Sequence, residues 1–588
     1  MTHKRKRAEN DVASRSTTIK RSRHTELPDL LSPLPNELLI RILTFLPLPD
    51  LLNTAPLSRR FYGLYGDSQI WKRLYYSRFV LPRALRIPGF RNGSAREGKL
   101  HYSSRKAIWA DGRRGGWVDM HVGNLEDRSR DWKKQYKLRH NWSKGKCAVE
   151  ELQVGKELVS PETSSPYKML VKVSEGIAIT ADIATGLRAW DLKTKYLLAQ
   201  ISLSQADSKA VPSCIAIDDQ KVQDQVLEIA IGFSDGSFGV WKLDLQERTI
   251  LRRYFHEKST NGELVGVAYS HPYLLTATRS VLISLYTFDG PPKIDSSGTH
   301  ESDSETTQDS GSETMQDTED EHLPRKPKSN LRNPEPVALQ APYLLTSLKS
   351  HTSRAPLALS IRKTAVSIVA SIAYTFSTLQ GWSLGIQDLH LRPSMSRSKY
   401  TPDITATRLA YSLPVRSSPI HIPSPPTSPA QHMNLSSSSQ DEELDGPISL
   451  CYTHPYLLAT LPDNTLILYL CTSNATSLSI SPGIRLWGHT SGISDAEITA
   501  RGKAVSVSCR GEEIRVWELE GKAHGKSIEV RPTAKSVVDD VEKVDNTHPD
   551  DIAAEWDDRR NWVGFDDEMV IVLKESKGRE SLMVYDFT

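Results

Sequence analysis

Residues 487–521 read WGHTSGISDAEITARGKAVSVSCRGEEIRVWELEG. Short Val/Ile/Ala runs alternate there with Gly, Asp and Ser turns, and the final run closes on an aromatic, Trp517. Such a stretch predicts short β-strands joined by tight turns. The closing signature recurs outward in both directions: LRAWDLKT at Trp190, FGVWKLD at Trp241, ISLYTFD at Tyr286, LQGWSLG at Trp382, LILYLCT at Tyr469 and LMVYDFT at Tyr585. The seven aromatics are spaced 51, 45, 96, 87, 48 and 68 residues apart. Taking out two polar inserts, 290–336 and 412–446, brings the two longest gaps to 49 and 52, and a charged loop near 522–552 accounts for the last excess. One period near 50 residues, repeated seven times, predicts a seven-bladed β-propeller over 147–588, with a set of β-sandwiches as the alternative that an even period disfavours.

Two repeats support the phase, because AYSHPYLLTATRSVLISLY (268–286) and CYTHPYLLATLPDNTLILYL (451–470) share His-Pro-Tyr-Leu-Leu. Residues 487–521 resemble a WD repeat through Gly488-His489, Asp495 and Trp517. That resemblance implies a buried hydrogen-bond network of the His, the Asp and strand residues. Closure of the ring is expected from Cys147–Val154, supplying the outer strand of the last blade and so removing a free sheet edge.

The chain of 588 residues carries a net charge of +3, which averages opposed segments. Residues 1–26 hold eight Lys/Arg against three Asp/Glu, in clusters at 4–7 and 20–23 twelve residues apart. They resemble a bipartite nuclear import signal, whose partner is an import carrier; a solvated tail is the other reading. Residues 301–321 hold nine acidic and no basic side chains, a composition that cannot join a core. No run of 18 apolar residues and no apolar leader occurs, so neither a membrane span nor a secretory signal is expected. The five cysteines form no CxxC pair, which predicts free thiols and no structural zinc.

Residues 34–79 carry Leu38, Leu39, Ile42, Leu43 and Leu46 at helical spacing, with Pro47 and Pro49 as a stop and Asp50 as the N-cap of a second helix. Further helices run through Leu57, Phe61, Leu64 and Tyr65, and through Ile70, Trp71, Leu74 and Tyr75. More apolar residues stand here than so short a module can hide, which predicts a partner surface. Leu34-Pro35-Asn36-Glu37, Ile42-Leu43, Leu46-Pro47, Asp50-Leu51-Leu52, Ser58-Arg59 and Ile70-Trp71 together resemble the F-box, with Phe61-Tyr62 where many members have Trp. The resemblance implies docking on the Skp adaptor, and through it on cullin and RING subunits of a ubiquitin ligase. Its adaptor-binding positions would be Leu34, Pro35, Glu37, Leu38, Ile42, Leu43, Leu46, Leu51, Leu52 and Trp71.

The expected organisation is therefore a basic tail (1–26), an F-box helical domain (27–81), a basic linker with a helix (82–146) and the propeller. In the linker, seventeen Lys/Arg against six Asp/Glu interleave with Trp109, Trp117, Trp132, Tyr136 and Trp142, which admits nucleic-acid contact. The helical spacing of Trp132, Tyr136 and Arg139 favours packing on the next domain instead, and Asn141-Trp142-Ser143-Lys144-Gly145 resembles the step that joins an F-box to a WD-repeat propeller.

No phosphate-binding Gly loop, GxSxG or HExxH motif occurs, so no catalytic residue, cofactor or metal is assigned. Cys147 and Cys509 are read as core. The family resemblance makes the chain a receptor that presents a protein substrate, phosphorylated or not, in the nucleus or cytoplasm; a non-degradative scaffold is the alternative. Phosphopeptide-reading relatives place an Arg seven residues before the blade aromatic. Here that count lands on Arg279 and Arg510, with Arg362, Arg416 and Arg501 as weaker candidates for binding phosphate. Asp309-Ser310-Gly311-Ser312-Glu313-Thr314 looks like a degron, and Ser418, Ser424 and Ser428 each precede Pro.

Overall fold

The computed structural model describes residues 30, 31, 33–84, 131–154, 169–203, 210–218, 225–289, 338–364, 367–392, 403–415, 446–473, 476–500, 502–509, 511, 513–519, 526–532, 562–576 and 579–588. The two basic clusters, the acidic 301–321 segment, Ser418, Ser424, Ser428, Arg416, Arg501 and Arg510 lie outside the described residues. The chain divides into two compact units, one of Met1–Arg78 with Ser129–Lys133 and one of Phe79–Arg128 with Lys134–Thr588.

The first unit holds helices α1 (Asn36–Leu43), α2 (Leu48–Thr54), α3 (Arg59–Tyr65) and α4 (Ser68–Tyr75). Pro35 and Pro47 stand at the starts of α1 and α2 in extended conformation. Asp50 therefore falls in the first turn of α2 rather than at its cap, where its carboxylate still meets the positive end of the helix. Ser58 caps α3 by accepting from the Phe61 amide at 3.1 Å, and Asp67 caps α4 by accepting from that of Gln69 at 2.8 Å. Leu39, Leu43, Leu51, Leu64, Ile70 and Trp71 fill the interior. The Trp71 indole N–H donates to the Tyr65 carbonyl at 2.7 Å, which satisfies its one polar atom inside the core.

The second unit contains a short helix, α5 (Leu81–Ala84), the longer α6 (Trp132–Lys144) from Lys134 onward, and seven sheets whose blade strands pair antiparallel. Blade 1 is built from Leu170–Ser174, Ile177–Asp182, Gly186–Asp191 and Leu197–Ile201, and blade 2 from Pro212–Asp218, Val226–Phe233, Phe238–Asp244 and Thr249–His256. Blade 3 comprises Leu264–Ser270, Tyr273–Thr278, Leu282–Thr287 and Tyr343–Lys349; blade 4 comprises Ser353–Lys363, Ile368–Thr378, Gly381–Arg392 and Asp403–Tyr411. Blade 5 uses Ser449–Thr453, Tyr456–Thr460 and Thr465–Ser473, with Leu478–Ile480 and Ile484–Trp487 sharing its outer edge. Blade 6 is Ile493–Ile498, Lys503–Ser508, Ile514–Glu518 and Lys526–Glu529. Blade 7 joins Trp562–Phe565, Met569–Ser576 and Arg579–Asp586 to Lys146–Gln153 from the start of the domain.

This arrangement explains the strand patterns. Second strands such as Tyr273–Thr278 and Tyr456–Thr460 are buried along their whole length, because each lies between two neighbouring blades, while the outer strand Asp403–Tyr411 alternates toward solvent. The core is distributed over seven seams between consecutive blades. Ile179, Leu187, Leu227 and Ile229 fill the seam of blades 1 and 2, for instance, and Leu152, Val171, Ile571 and Leu582 that of blades 7 and 1.

The clasp forms through antiparallel register from Ala148 opposite Asp586 to Gln153 opposite Ser581. Gly145 makes it possible. Its φ is +67°, and a Cβ there would fall 2.1 Å from the Glu529 carbonyl oxygen. Its own carbonyl accepts from the Arg531 amide at 2.7 Å, so Arg531–Pro532 adds a parallel edge to the same sheet. Just upstream, α6 locks on blade 7. Asn141 donates to the Phe587 carbonyl at 2.8 Å, the Trp142 indole donates to that of Asp567 at 2.9 Å, and the Trp142 ring stacks on Phe587 at 3.9 Å.

The structure corrects several readings. Six of the seven guide aromatics pair near the start of the second strand of their blade, as Trp190 does with Ala178 and Trp517 with Ala504. Trp382 instead stands second in the long strand Gly381–Arg392, opposite Ser377 beside the turn, and His390, opposite Val369, holds the equivalent place in blade 4. The insert after blade 4 begins later than 412, since the Ser412 hydroxyl accepts from the Leu384 amide and the Val415 amide donates to Trp382. Within the loop expected at 522–552, Lys526–Glu529 is the outer strand of blade 6. Cys509 follows the strand Lys503–Ser508 in a turn instead of lying within one.

Candidate functional site

The polar network of blade 6 has a different acid from the one expected. His489 Nε2 lies 2.6 Å from Ser506 Oγ, which also accepts the Trp517 indole N–H at 2.8 Å. His489 Nδ1 faces Glu513 Oε2 at 3.4 Å, and the same oxygen accepts from the amide and hydroxyl of Thr490. Burial lowers the His489 pKa to about 4 against the opposing pull of Glu513. Asp495 sits in the first strand of the blade and accepts from the Val563 amide of blade 7, so it ties two blades together outside that network.

The two His-Pro-Tyr repeats reveal a second pair of networks that composition did not announce. Tyr269 donates to Glu228 Oε2 at 2.7 Å, and Glu228, nearly inaccessible in blade 2, pairs with Arg253 at 2.8 Å. Tyr452 holds the same place in blade 5 and accepts from Arg362 Nη1 at 3.1 Å. Arg362 in turn pairs with Asp388 at 3.0 Å, and Asp388, fully buried, accepts from the hydroxyls of Ser371 and Ser473. In both cases a tyrosine on an innermost strand reaches a buried ion pair of the preceding blade. Arg362 is thereby removed as a phosphate-binding candidate, because its guanidinium is spent inside the seam of blades 4 and 5.

Of the other substrate-contact candidates, Arg279 is described. It lies in the turn between the second and third strands of blade 3, its side chain 75% exposed and paired with Glu263 at 2.8 Å. Cysteine chemistry finds no support at Cys147, whose thiol is pushed up to about 12 by burial and then by Asp586. Burial likewise raises Cys214, Cys451 and Cys471 to about 12.

In the helical unit, α1 presents two apolar stripes. Leu39 and Leu43 point into the core, while Leu38 and Ile42, followed by Phe45 in the next turn, line up on the opposite face at 49%, 44% and 64% exposure. Pro35, Glu37 and Leu52 are also exposed, and Leu34 and Leu46 are half-buried. The structure places Leu43, Leu51 and Trp71 in the interior, so these three shape the surface and do not form it. Two basic residues that the sequence reading passed over fix its geometry. Arg60 donates to Asn36 Oδ1 at 2.8 and 2.9 Å and to the Leu34 carbonyl, tying the start of α1 to α3. Arg73 donates to Thr44 Oγ1 at 2.9 Å and lies over the Phe45 ring at 4.4 Å.

A short helical F-box region followed by a seven-bladed β-propeller thus defines the class of the molecule. The chain belongs to the family of the F-box protein pof12 β-propeller, whose model matches residues 147–588, and an F-box-like model matches residues 31–77. No curated protein matches the chain. Among solved structures it is similar to a chain of the mitotic checkpoint complex (9% identity, 74% of this chain and 98% of that one, TM-score 0.34) and to the C-terminal WD40 domain of Sif2 (10%, 75% and 98%, 0.32). It is also similar to the computationally designed Ika8 protein (11%, 71% and 82%, 0.33). F-box domains in general bind the Skp adaptor, and F-box propeller proteins are generally receptors or adaptors without catalysis of their own.

Proposed function

We propose that this protein is a substrate-recognition subunit of a Skp-cullin-F-box ubiquitin ligase: the helical unit docks on the Skp adaptor, and the propeller holds a protein substrate for ubiquitin transfer by the other subunits. The second apolar stripe of α1 carries the reading. Leu38, Ile42 and Phe45 are large apolar side chains left about half exposed on one face, with Arg73 over the Phe45 ring and Arg60 fixing the start of the helix at Asn36, as a docking surface requires. The receptor then acts by holding substrate near the charged enzyme, which raises its effective concentration. The basic clusters at 4–7 and 20–23 support binding of an import carrier, and a fluorescent reporter fused to residues 1–26 tests it by its nuclear accumulation.

Co-purification of the full chain with recombinant Skp adaptor tests the main reading. Ile42→Asp with Leu38→Asp should abolish capture while leaving the melting temperature within about 2 °C, since both residues are surface-facing. Adaptor capture that survives this double substitution overturns the assignment of the face. Retained ubiquitination of propeller-bound proteins by the double variant would favour the scaffold reading.

A further inference from the structure

We propose that Thr44 is a phosphorylation site for a protein kinase that selects basic substrates, and that a phosphate there closes the α1 face to the adaptor. This rests on the reading of that face as the docking surface and deepens it by giving the surface a control. Thr44 caps the C-terminal end of α1 and stands between Ile42 and Phe45, two of the three exposed apolar residues of the face. Its hydroxyl donates to the Arg41 carbonyl at 2.7 Å and accepts from Arg73 Nη1 at 2.9 Å. Arg41 is exposed three residues before it, and Arg41-Ile42-Leu43-Thr44 has the spacing at which a guanidinium reaches the carboxylates of an acidic kinase groove while the hydroxyl enters the active site. The same spacing occurs at Thr18 and Ser94, both outside the described residues.

The site suits the product as well as the kinase. In the transfer, Thr44 Oγ1 bonds to the γ-phosphorus of MgATP, the bond from that phosphorus to the β–γ bridging oxygen breaks, and ADP leaves. The hydroxyl proton, which here points at the Arg41 carbonyl, passes to the kinase's base. The new phosphate then lies within reach of Arg73, in charge-assisted hydrogen bonds roughly twice as strong as neutral ones. Neither Arg41 nor Arg73 pairs with a carboxylate among the described residues, so both charges are available to offset the repulsion between a phosphate and the negative end of α1. The docking face changes in two ways. Arg73, 4.4 Å from the centre of the Phe45 ring, turns to the phosphate and leaves that ring unbraced. A charge of about −1.5 to −2 also sits between Ile42 and Phe45, where a partner covering both has to strip its water. Access is inexpensive, because α1 has only eight residues and its last turn hangs on the bonds from the Thr44 amide to Ile40 O at 2.9 Å and from the Phe45 amide to Ile42 O at 3.0 Å.

The full chain carrying Thr18→Ala and Ser94→Ala, incubated with the catalytic subunit of protein kinase A and MgATP, tests the proposal. Tandem mass spectrometry should place a phosphate on Thr44, absent in Thr44→Val and reduced at least ~5-fold in Arg41→Gln. Capture of recombinant Skp adaptor should weaken at least ~10-fold on phosphorylation and return when a protein phosphatase removes the phosphate, which separates blocking from unfolding. A chain left unphosphorylated at Thr44 overturns the site. Undiminished capture at full Thr44 occupancy overturns the blocking role while the receptor assignment stands. Failure of the unmodified chain to capture adaptor overturns the receptor assignment, and the blocking role with it.

Discussion

The buried pair of Arg362 and Asp388 allows a quantitative prediction. At 3.0 Å and an effective dielectric of ~20, the two charges attract by about 5 kcal/mol, before the cost of removing them from water. Asp388 is fully buried, and the Arg362 side chain is only 11% exposed. In Asp388→Ala the guanidinium keeps Ser371 Oγ and the Tyr452 hydroxyl, both neutral, and loses its only anionic partner among the described residues. Removing one member of such a pair costs about 3–5 kcal/mol, whereas replacing both by apolar groups of similar volume is often close to neutral. At about 2 cal/mol/K per residue, a loss of 4 kcal/mol in a domain of this size lowers Tm by about 4 °C. Calorimetry on the full chain should accordingly show Asp388→Ala and Arg362→Met each melting several degrees early, and Arg362→Met with Asp388→Leu recovering most of the difference. A double variant as unstable as the sum of the singles, or singles within 1 °C of the parent, would refute the view that this pair is worth most as a matched set.

Further outcomes follow from the clasp and from blade 6. Gly145→Ala forces a side chain against Glu529 at a left-handed backbone position and should destabilise the ring by at least ~2 kcal/mol, measured by urea unfolding. Trp142→Ala removes the stacked contact with Phe587 and should cost about 3–5 kcal/mol in the same assay, with faster proteolysis of the segment before residue 146. His489 is held neutral in the folded state, with a pKa of about 4 against an ordinary 6.5, so the unfolded chain binds more protons between those values. Stability is thus complete above pH 6.5 and falls as the pH drops toward 4, by about 3 kcal/mol for this group alone. Unfolding free energies measured at pH 7 and 5 should converge in His489→Gln relative to the parent; an unchanged slope would remove His489 as the source.

Much of the ring was legible because its signal is local and repeated: an apolar strand, a turn and an aromatic, seen at Trp190, Trp241, Tyr286, Tyr469, Trp517 and Tyr585. Blade 4 broke the count because its strands are eleven and twelve residues long, so the conspicuous Trp382 falls by the turn and an inconspicuous His390 takes the blade position. The networks were hidden for another reason. Glu228 and Tyr269, or Asp388 and Ser473, are far apart in sequence, and no spacing rule joins residues of different blades. The same holds for Glu513 displacing Asp495, since either acid fits the expected pattern and only the turn geometry decides. In the helical unit, the sequence placed ten residues on a docking face, but a short amphipathic helix with two apolar sides does not declare which one is turned inward; Leu43, Leu51 and Trp71 went to the core.

The pairing of Ala148 with Asp586 also governs how the protein is made. At roughly 5–20 residues per second, a ribosome needs on the order of 20–90 s to travel from the first strand of that sheet to the last. Throughout that interval the strand Lys146–Gln153 has no antiparallel partner, and the seam holding Leu152, Val171 and Ile571 stands half built. Blades 1 to 6 can accumulate as an open arc, but its two ends remain sticky until Arg579–Asp586 emerges. Nascent-chain chaperones should therefore engage this protein late in synthesis, and truncations that remove only the final strand should accumulate as aggregates rather than as a six-bladed remnant.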